Sequence, residues 1–148
     1  TRTRGRRDRL NAQKCRTVVV PQDGFHLDNQ VLEERGQLNR KGAPQTFDGA
    51  GFVHMVRRLK ERVDVAVPTF DRTRDISIAG ARIVHASAEV IIVEGNYLLY
   101  DDAPWLNLAP LCTLSVLLYV LIEELPARLI PRLLGLHLCP SACARPAP

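Results

Sequence analysis

The sequence has little cysteine, few aromatic side chains and no uninterrupted apolar run long enough to cross a bilayer. Four Cys in 148 residues exclude a disulfide scaffold, and a domain of this size buries roughly two thirds of its unfolded surface without needing a metal or cross-link. The longest apolar stretch, Leu106 to Ile122, is interrupted by Asn107 and Pro110 and followed by Glu123 and Glu124 without basic flanks, so no membrane partner is expected. Met55 is the sole methionine and the first residue is Thr1, which reads as a processed or incomplete product. No apolar segment follows the early arginines, which argues against a secretory signal. Lys14, Asp8 and the lack of serine argue against a transit peptide.

What is abundant is basic charge at one end. Residues 1–16 carry Arg2, Arg4, Arg6, Arg7, Arg9, Lys14 and Arg16 against Asp8 alone, whereas the remaining chain holds 13 basic and 15 acidic residues. The net charge of +4 therefore belongs to an arm, not to the body. Such an arm could hold phosphates, but it has no aromatic residue for base stacking. It reads as a solvated terminus, and nucleic acid is not the expected partner.

Thr17 to Val20 is a β-branched run closed by Pro21, a buried strand followed by a loop over Gln22 to Leu27. Asp28 caps a short helix through Glu34 with Gly36 behind it, and Arg40 to Phe47 is loop by composition. Asp48 caps the next helix, where Phe52, Val56, Leu59 and Val63 form an apolar stripe with Arg57, Arg58, Lys60 and Glu61 outward. A short strand, Val65 to Val67, should end at Pro68. A charged loop, Phe70 to Asp75, should then precede a strand at Arg82 to His85. Glu89 to Val93 is the clearest strand, apolar enough to be covered on both faces, and Thr113 to Val120 reads as another. A helix can start at Glu123, disturbed by Pro126 and Pro131. The alternation of strands and helices favours an α/β fold.

Three groups of residues could carry chemistry. Asp23-Gly24-Phe25-His26-Leu27-Asp28 follows a strand end, where ligands bind in open α/β sheets. A carboxylate there can accept a proton from a hydroxyl that attacks a phosphoryl group, or help hold Mg²⁺, although an Asp-Gly pair can equally just close a turn. Glu94 also ends a strand, next to Gly95, and could serve a metal or face solvent. Phe70, Asp71, Arg72 and Arg74 combine a ring, an acid and guanidinium groups able to grip a polar or phosphorylated compound. Four cysteines remain. His137, Cys139 and Cys143 lack a fourth zinc ligand, and Cys15 and Cys112 lie in or beside core segments as free thiols, consistent with a reducing cytoplasm.

Taken in order, VVVPQDGFHLDN, RKGAPQTFD, VPTFDRTRD and VIIVEGNYLL, with Trp105 ten residues beyond Gly95, resemble the uridine kinase and phosphoribulokinase branch of the P-loop kinases. The likeness includes its nucleoside or sugar kinase-like and pantothenate kinase-related members, and it covers Thr17 to Arg132. It implies a P-loop NTPase-like parallel sheet with flanking helices, with ATP and Mg²⁺ as cofactors and a small-molecule acceptor as partner. It implies Asp23 as catalytic base near the metal, Phe25 and His26 on the substrate side, and Phe70, Asp71 and Arg72 lining the acceptor pocket. It also implies Glu94 near Mg²⁺, and Arg128 and Arg132 on a lid helix over the phosphates.

The sequence departs from that pattern at one decisive place. Ahead of Asp23 stand one glycine, Gly5, and one lysine, Lys14, and no G-x-x-x-x-G-K-[ST] occurs anywhere. The phosphate cradle, its lysine and the hydroxyl for Mg²⁺ are thus missing from this chain. The domain is expected to be N-terminally incomplete, with an arm at 1–16, a partial kinase-like body at 17–134 and an irregular tail at 135–148. An exposed sheet edge could then be covered by a second copy. Two readings compete with phosphoryl transfer to a hydroxyl. One is a non-catalytic remnant that binds a small molecule or dimerises; the other is nucleic-acid binding through the arm.

Overall fold

The computed structural model describes residues 15–118, together with Gly5, Asp8 and Glu124. The chain divides into a unit Thr1–Thr113 and a unit Leu114–Pro148. The basic arm apart from its last residues, the expected helix after Glu123, Arg128, Arg132 and the His137, Cys139, Cys143 group lie outside the described residues.

Strand β1 (Thr17–Pro21) pairs in parallel with β4 (Val90–Glu94), Val18 opposite Ile91 and Pro21 opposite Glu94. β-Branched residues suit this half-buried pleated surface, and the parallel pairing with helices between the two strands makes the fold α/β. In the ladder the Arg16 carbonyl accepts from Val90 N–H, so alternation turns the Val19 carbonyl to the opposite edge of β1. There the Arg82 guanidinium donates to it at 2.5 Å.

Helix α1 (Asn29–Glu34) starts where the Asp28 carboxylate accepts from Gln30 N–H, and it ends before Gly36, which takes a positive φ. Helix α2 (Gly49–Lys60) starts with the Asp48 carboxylate accepting from Gly51 N–H. Both caps satisfy backbone donors that the first turn leaves unpaired. The buried face of α2 is Phe52, Val53, Met55, Val56 and Leu59, wider than the expected stripe. Val63 does not belong to it. Arg62 adopts φ +57, turning the chain out of the helix, and Val63 is exposed.

The largest difference from the sequence reading lies between α2 and β4. Strand β2 (Val65–Asp71) does not stop at Pro68 but runs through it, and β3 (Ile76–Val84) begins six residues before the expected Arg82; the two pair as an antiparallel hairpin. Phe70 and Asp71 are strand residues, not loop. Pro68 lacks an N–H for the ladder, and the register shifts there between Val67 and Thr69, which is how a strand accommodates proline. Asp71 Oδ1 accepts from Thr73 and Arg74 N–H and closes the turn. Within Arg40 to Phe47 the chain makes the end of one 3₁₀ turn and a second at Pro44–Thr46.

Thr113 to Leu118 is not a strand. A strand needs neighbours for its N–H and C=O groups, and no ladder involves this segment among the described residues. Trp105 and Leu108, in a 3₁₀ segment (Trp105–Leu111), instead close the core against α2, with Phe47, Val20, Val67 and Val84. Trp105 is 2% exposed, and its ring meets Phe47 and Phe52 at 6.2 and 6.0 Å. Cys15 and Cys112 are free thiols, each half-buried. No helix among the described residues is long and apolar enough to cross a membrane.

Two outcomes follow from this packing. Phe52→Ala removes the central ring of the core and should cost about 3–5 kcal/mol, seen as a lower urea midpoint at unchanged slope. At the hairpin base, the Ala86 N–H and then His85 hold the Asp64 carboxyl below its usual range. A lowered native pKa contributes stability above the unfolded-state value, lost as pH falls through the native one. Asp64→Asn should therefore flatten the acid limb of a stability-versus-pH curve and leave its alkaline limb unchanged.

Candidate functional site

The site is built where β1 and β4 end side by side. After Pro21 the chain makes a 3₁₀ turn, Gln22–Phe25, that carries Asp23 past the tip of β1 while Glu94 ends β4 beside it. Gln22 is buried, and its Oε1 accepts from Tyr97 N–H at 3.2 Å. Gly95 lies so close to the Gln22 side chain that a Cβ would collide with it. Glycine at 95 thus lets the two strand tips close up.

Gly24 does the same toward the hairpin. A Cβ at Gly24 would sit 2.8 Å from the Pro68 carbonyl oxygen, so β2 rests directly on the turn at the point where residues 79–81 of β3 face Pro68 alone. That contact brings Arg72 to Asp23, and the guanidinium donates to Asp23 Oδ2 in an ion pair that is partly exposed on both sides. Ser77 of β3 donates to the His26 carbonyl at 2.9 Å. The other side of the turn is held by Leu27 N–H donating to Thr46 and Asp48 N–H donating to Phe25.

The His26 ring packs against the Phe47 and Phe70 rings, centroids 4.0 and 4.8 Å away. Phe25 meets Phe52 edge-on at 5.0 Å, which ties the turn to the core. Below Phe70 a group not anticipated from the sequence locks the hairpin. Lys41 Nζ donates to Asn29 Oδ1 at 2.6 Å and to the Asp75 carbonyl and carboxylate at 2.6 and 2.8 Å, and it lies 5.3 Å from the Phe70 ring centre. The Lys41 side chain is only 13% exposed. Asp75 adopts φ +55 at the hairpin turn. Tyr97 is a second such residue, its hydroxyl donating to the Gly42 carbonyl at 2.7 Å.

A cleft of about 370 Å³ opens beside the turn, lined by Phe25, His26, Asp28, Asp48, Pro68 and Ser77 among others, while Asp23, Phe70, Arg72 and Glu94 do not line it. Of the residues expected to act, the structure joins Asp23 with Arg72 and His26 with Phe70, and it sets Phe25 and His26 on the cleft wall. Asp71 closes the hairpin turn. Glu94 is half-buried at the β4 tip and forms no ion pair among the described residues.

The donor set fits a metal only in part. No group of three or more His, Cys, Asp or Glu able to hold a metal occurs among the described residues, yet Mg²⁺ is commonly bound by one or two carboxylates completed by phosphate oxygens and water. Glu94 and Asp23 are carboxylates at the ends of paired parallel strands. The sequence holds no glycine-rich phosphate loop, and the glycines at the strand tips are packed against Pro68 and Gln22.

Lys41→Met keeps the stem but removes three donors. It should lower stability by about 1–2 kcal/mol and speed hydrogen exchange at the amides of residues 72–76 relative to those of β1.

No protein-family model matches the chain. It is 39% identical over 114 residues to the uncharacterized protein YggC of Escherichia coli K12, a match covering 77% of this chain and 47% of YggC. Over 131 residues it is 34% identical to an ATP-dependent kinase-like protein, notR', of Aspergillus versicolor, covering 82% of this chain and 76% of that one. Its structure is similar to the crystal structure of a provisionally named fructose transport system kinase from Silicibacter sp. TM1040, with TM-score 0.83 and 49% identity over 90% of this chain and 65% of the other. Other relatives bear the names uridine kinase, provisionally, and pantothenate kinase. The chain thus spans about half the length of YggC. With the acid-bearing turn after β1, the acid at the tip of the adjacent parallel strand and these relatives in agreement, the chain belongs to the uridine kinase and phosphoribulokinase-like branch of the P-loop kinases.

Proposed function

We propose that this chain carries the acceptor half of a small-molecule kinase site, in which a hydroxyl compound binds beside the turn after β1 and Asp23 takes the proton of the attacking hydroxyl. The observation that carries the reading is the parallel register of β1 and β4, with Pro21 opposite Glu94, because it brings the turn bearing Asp23 and the carboxylate of Glu94 to one end of the sheet. In open α/β sheets that end is where ligands bind. Phosphoryl transfer depends mainly on positioning and charge neutralisation, and this chain's own residues supply the positioning on the acceptor side.

Asp23 is the base in this reading because it follows the strand tip and its carboxylate is oriented by Arg72. The guanidinium directs the carboxylate and leaves the second oxygen outside that hydrogen bond. Glu94 is the carboxylate available to Mg²⁺. When bound, ATP and Mg²⁺ supply the phosphoryl group and neutralise its charge. The sequence lacks the loop that cradles those phosphates, so acceptor binding by this chain does not depend on nucleotide.

Calorimetry separates the possibilities. Uridine, D-fructose and pantothenate, chosen from the names of the relatives, are each titrated into the full chain with and without Mg-ATP. The expected result is binding of at least one acceptor, equal in both conditions, and weakened about tenfold by Asp23→Asn. Micromolar binding of Mg-ATP that is abolished by Asp23→Ala or Glu94→Ala would show instead that the chain holds a complete nucleotide site. Heat from none of the three acceptors would remove the acceptor-site reading.

A further inference from the structure

We infer that His26 is a specificity-determining residue of the cleft, its ring fixed with Nδ1 as donor so that Nε2 is offered as hydrogen-bond acceptor to a hydroxyl of an uncharged compound. The inference rests on the acceptor-site reading above and deepens it by naming the atom that reads the ligand and the ligand's chemical class.

The tautomer follows from the partner. Nδ1 lies 2.8 Å from the Asp23 carbonyl oxygen, and a carbonyl can only accept, so Nδ1 carries the hydrogen. In the neutral ring Nε2 is then bare. The ring is held in this pose from several directions. The Phe47 and Phe70 rings pack against it, each tilted by 41°. The His26 N–H donates to the same Asp23 carbonyl at 3.3 Å, and the His26 carbonyl accepts from Ser77 Oγ.

Nε2 itself has no hydrogen-bond partner among the described residues, and it is not one of their buried unpaired polar atoms. A buried lone pair without a partner would be costly; this one is open, on a ring that lines the cleft. The titratable groups on the same wall are Asp28 and Asp48, each using Oδ1 to cap a helix. No Lys or Arg lines the cleft. The wall therefore offers acceptors and an apolar surface from Phe25 and Pro68. That combination suits hydroxyl donors on a compact carbon frame and disfavours a carboxylate or phosphate.

The test reads the ring directly. A long-range ¹H–¹⁵N correlation spectrum of the ¹⁵N-labelled full chain at pH 8, with the His26 signals assigned by their loss in His26→Asn, should show a protonated Nδ1 and a bare Nε2. A hydrogen on Nε2 overturns the inference, whether or not any ligand binds. D-Fructose, uridine and pantothenate are then titrated in. The expected result is that an uncharged probe moves the Nε2 resonance together with the Phe25 and Ser77 amides, and that pantothenate moves neither. Amide shifts without an Nε2 shift, or with pantothenate alone, overturn the inference while sparing the acceptor site. No shift with any probe overturns the acceptor-site reading and the ligand half of the inference, while the tautomer is decided regardless.

Variants separate reading from bracing. His26→Asn keeps a donor for the Asp23 carbonyl but loses the distal acceptor, and should weaken the binding of the responding probe about tenfold. His26→Gln supplies an acceptor at the distal position and should recover most of that loss. Equal weakening in both variants would indicate a merely structural role and overturn the inference.

Discussion

The architecture of the site depends on one close approach, the backbone of Gly24 against the carbonyl of Pro68, where the register of the hairpin shifts. A turn with any side chain at that position would push the hairpin away. Proline, which cannot donate to the ladder, and glycine, which has no Cβ, meet at the same point. Everything that equips the turn from the hairpin side, Arg72 on Asp23 and Ser77 on His26, is delivered by strands that this contact holds in place.

The hairpin is fastened again at its far end. Lys41, reaching from the segment between the two helices, satisfies its ammonium on Asn29 and Asp75 while its stem passes Phe70. A charged group with three acceptors is well compensated, and its low exposure shields it from salt more than a surface ion pair. The turn after β1 is thereby enclosed by the hairpin on one side and by the 41–48 segment on the other. Its middle is rooted in the core through Phe25 and Phe52. The result is a rigid wall rather than a loop in solvent, which is what positioning a small acceptor requires.

Much of this was legible in the sequence and some was not, for identifiable reasons. Asp28 and Asp48 announced their helices because a capping carboxylate is a local device, and the β1 and β4 runs were plain because apolar β-branched residues have few alternatives. The hairpin was hidden. Pro68 and the charged residues after it carry the composition of a loop, and only pairing with β3, a long-range event, makes strand of Phe70 and Asp71. Val63 kept the helical period in sequence but was turned away by the left-handed Arg62, which no periodicity reveals. The expected strand at Thr113 had the right residues but no pairing neighbour among the described residues. Among the site residues, Asp23, His26 and Arg72 stood out by type and place. Lys41, Gln22 and Tyr97 did not, because their partners come from distant segments of the chain.

The guanidinium of Arg82, donating to the Val19 carbonyl, has a bearing on how this molecule meets others of its kind. An arginine spanning from the hairpin takes the Val19 carbonyl on the outer flank of β1 much as a backbone N–H of an adjoining ribbon would, but with a charge at its end. An incoming chain seeking to extend the sheet on that flank would have to evict the cation and strip it of an oxygen it already holds. At Val19, an added strand would have to compete with a single long side chain for that oxygen.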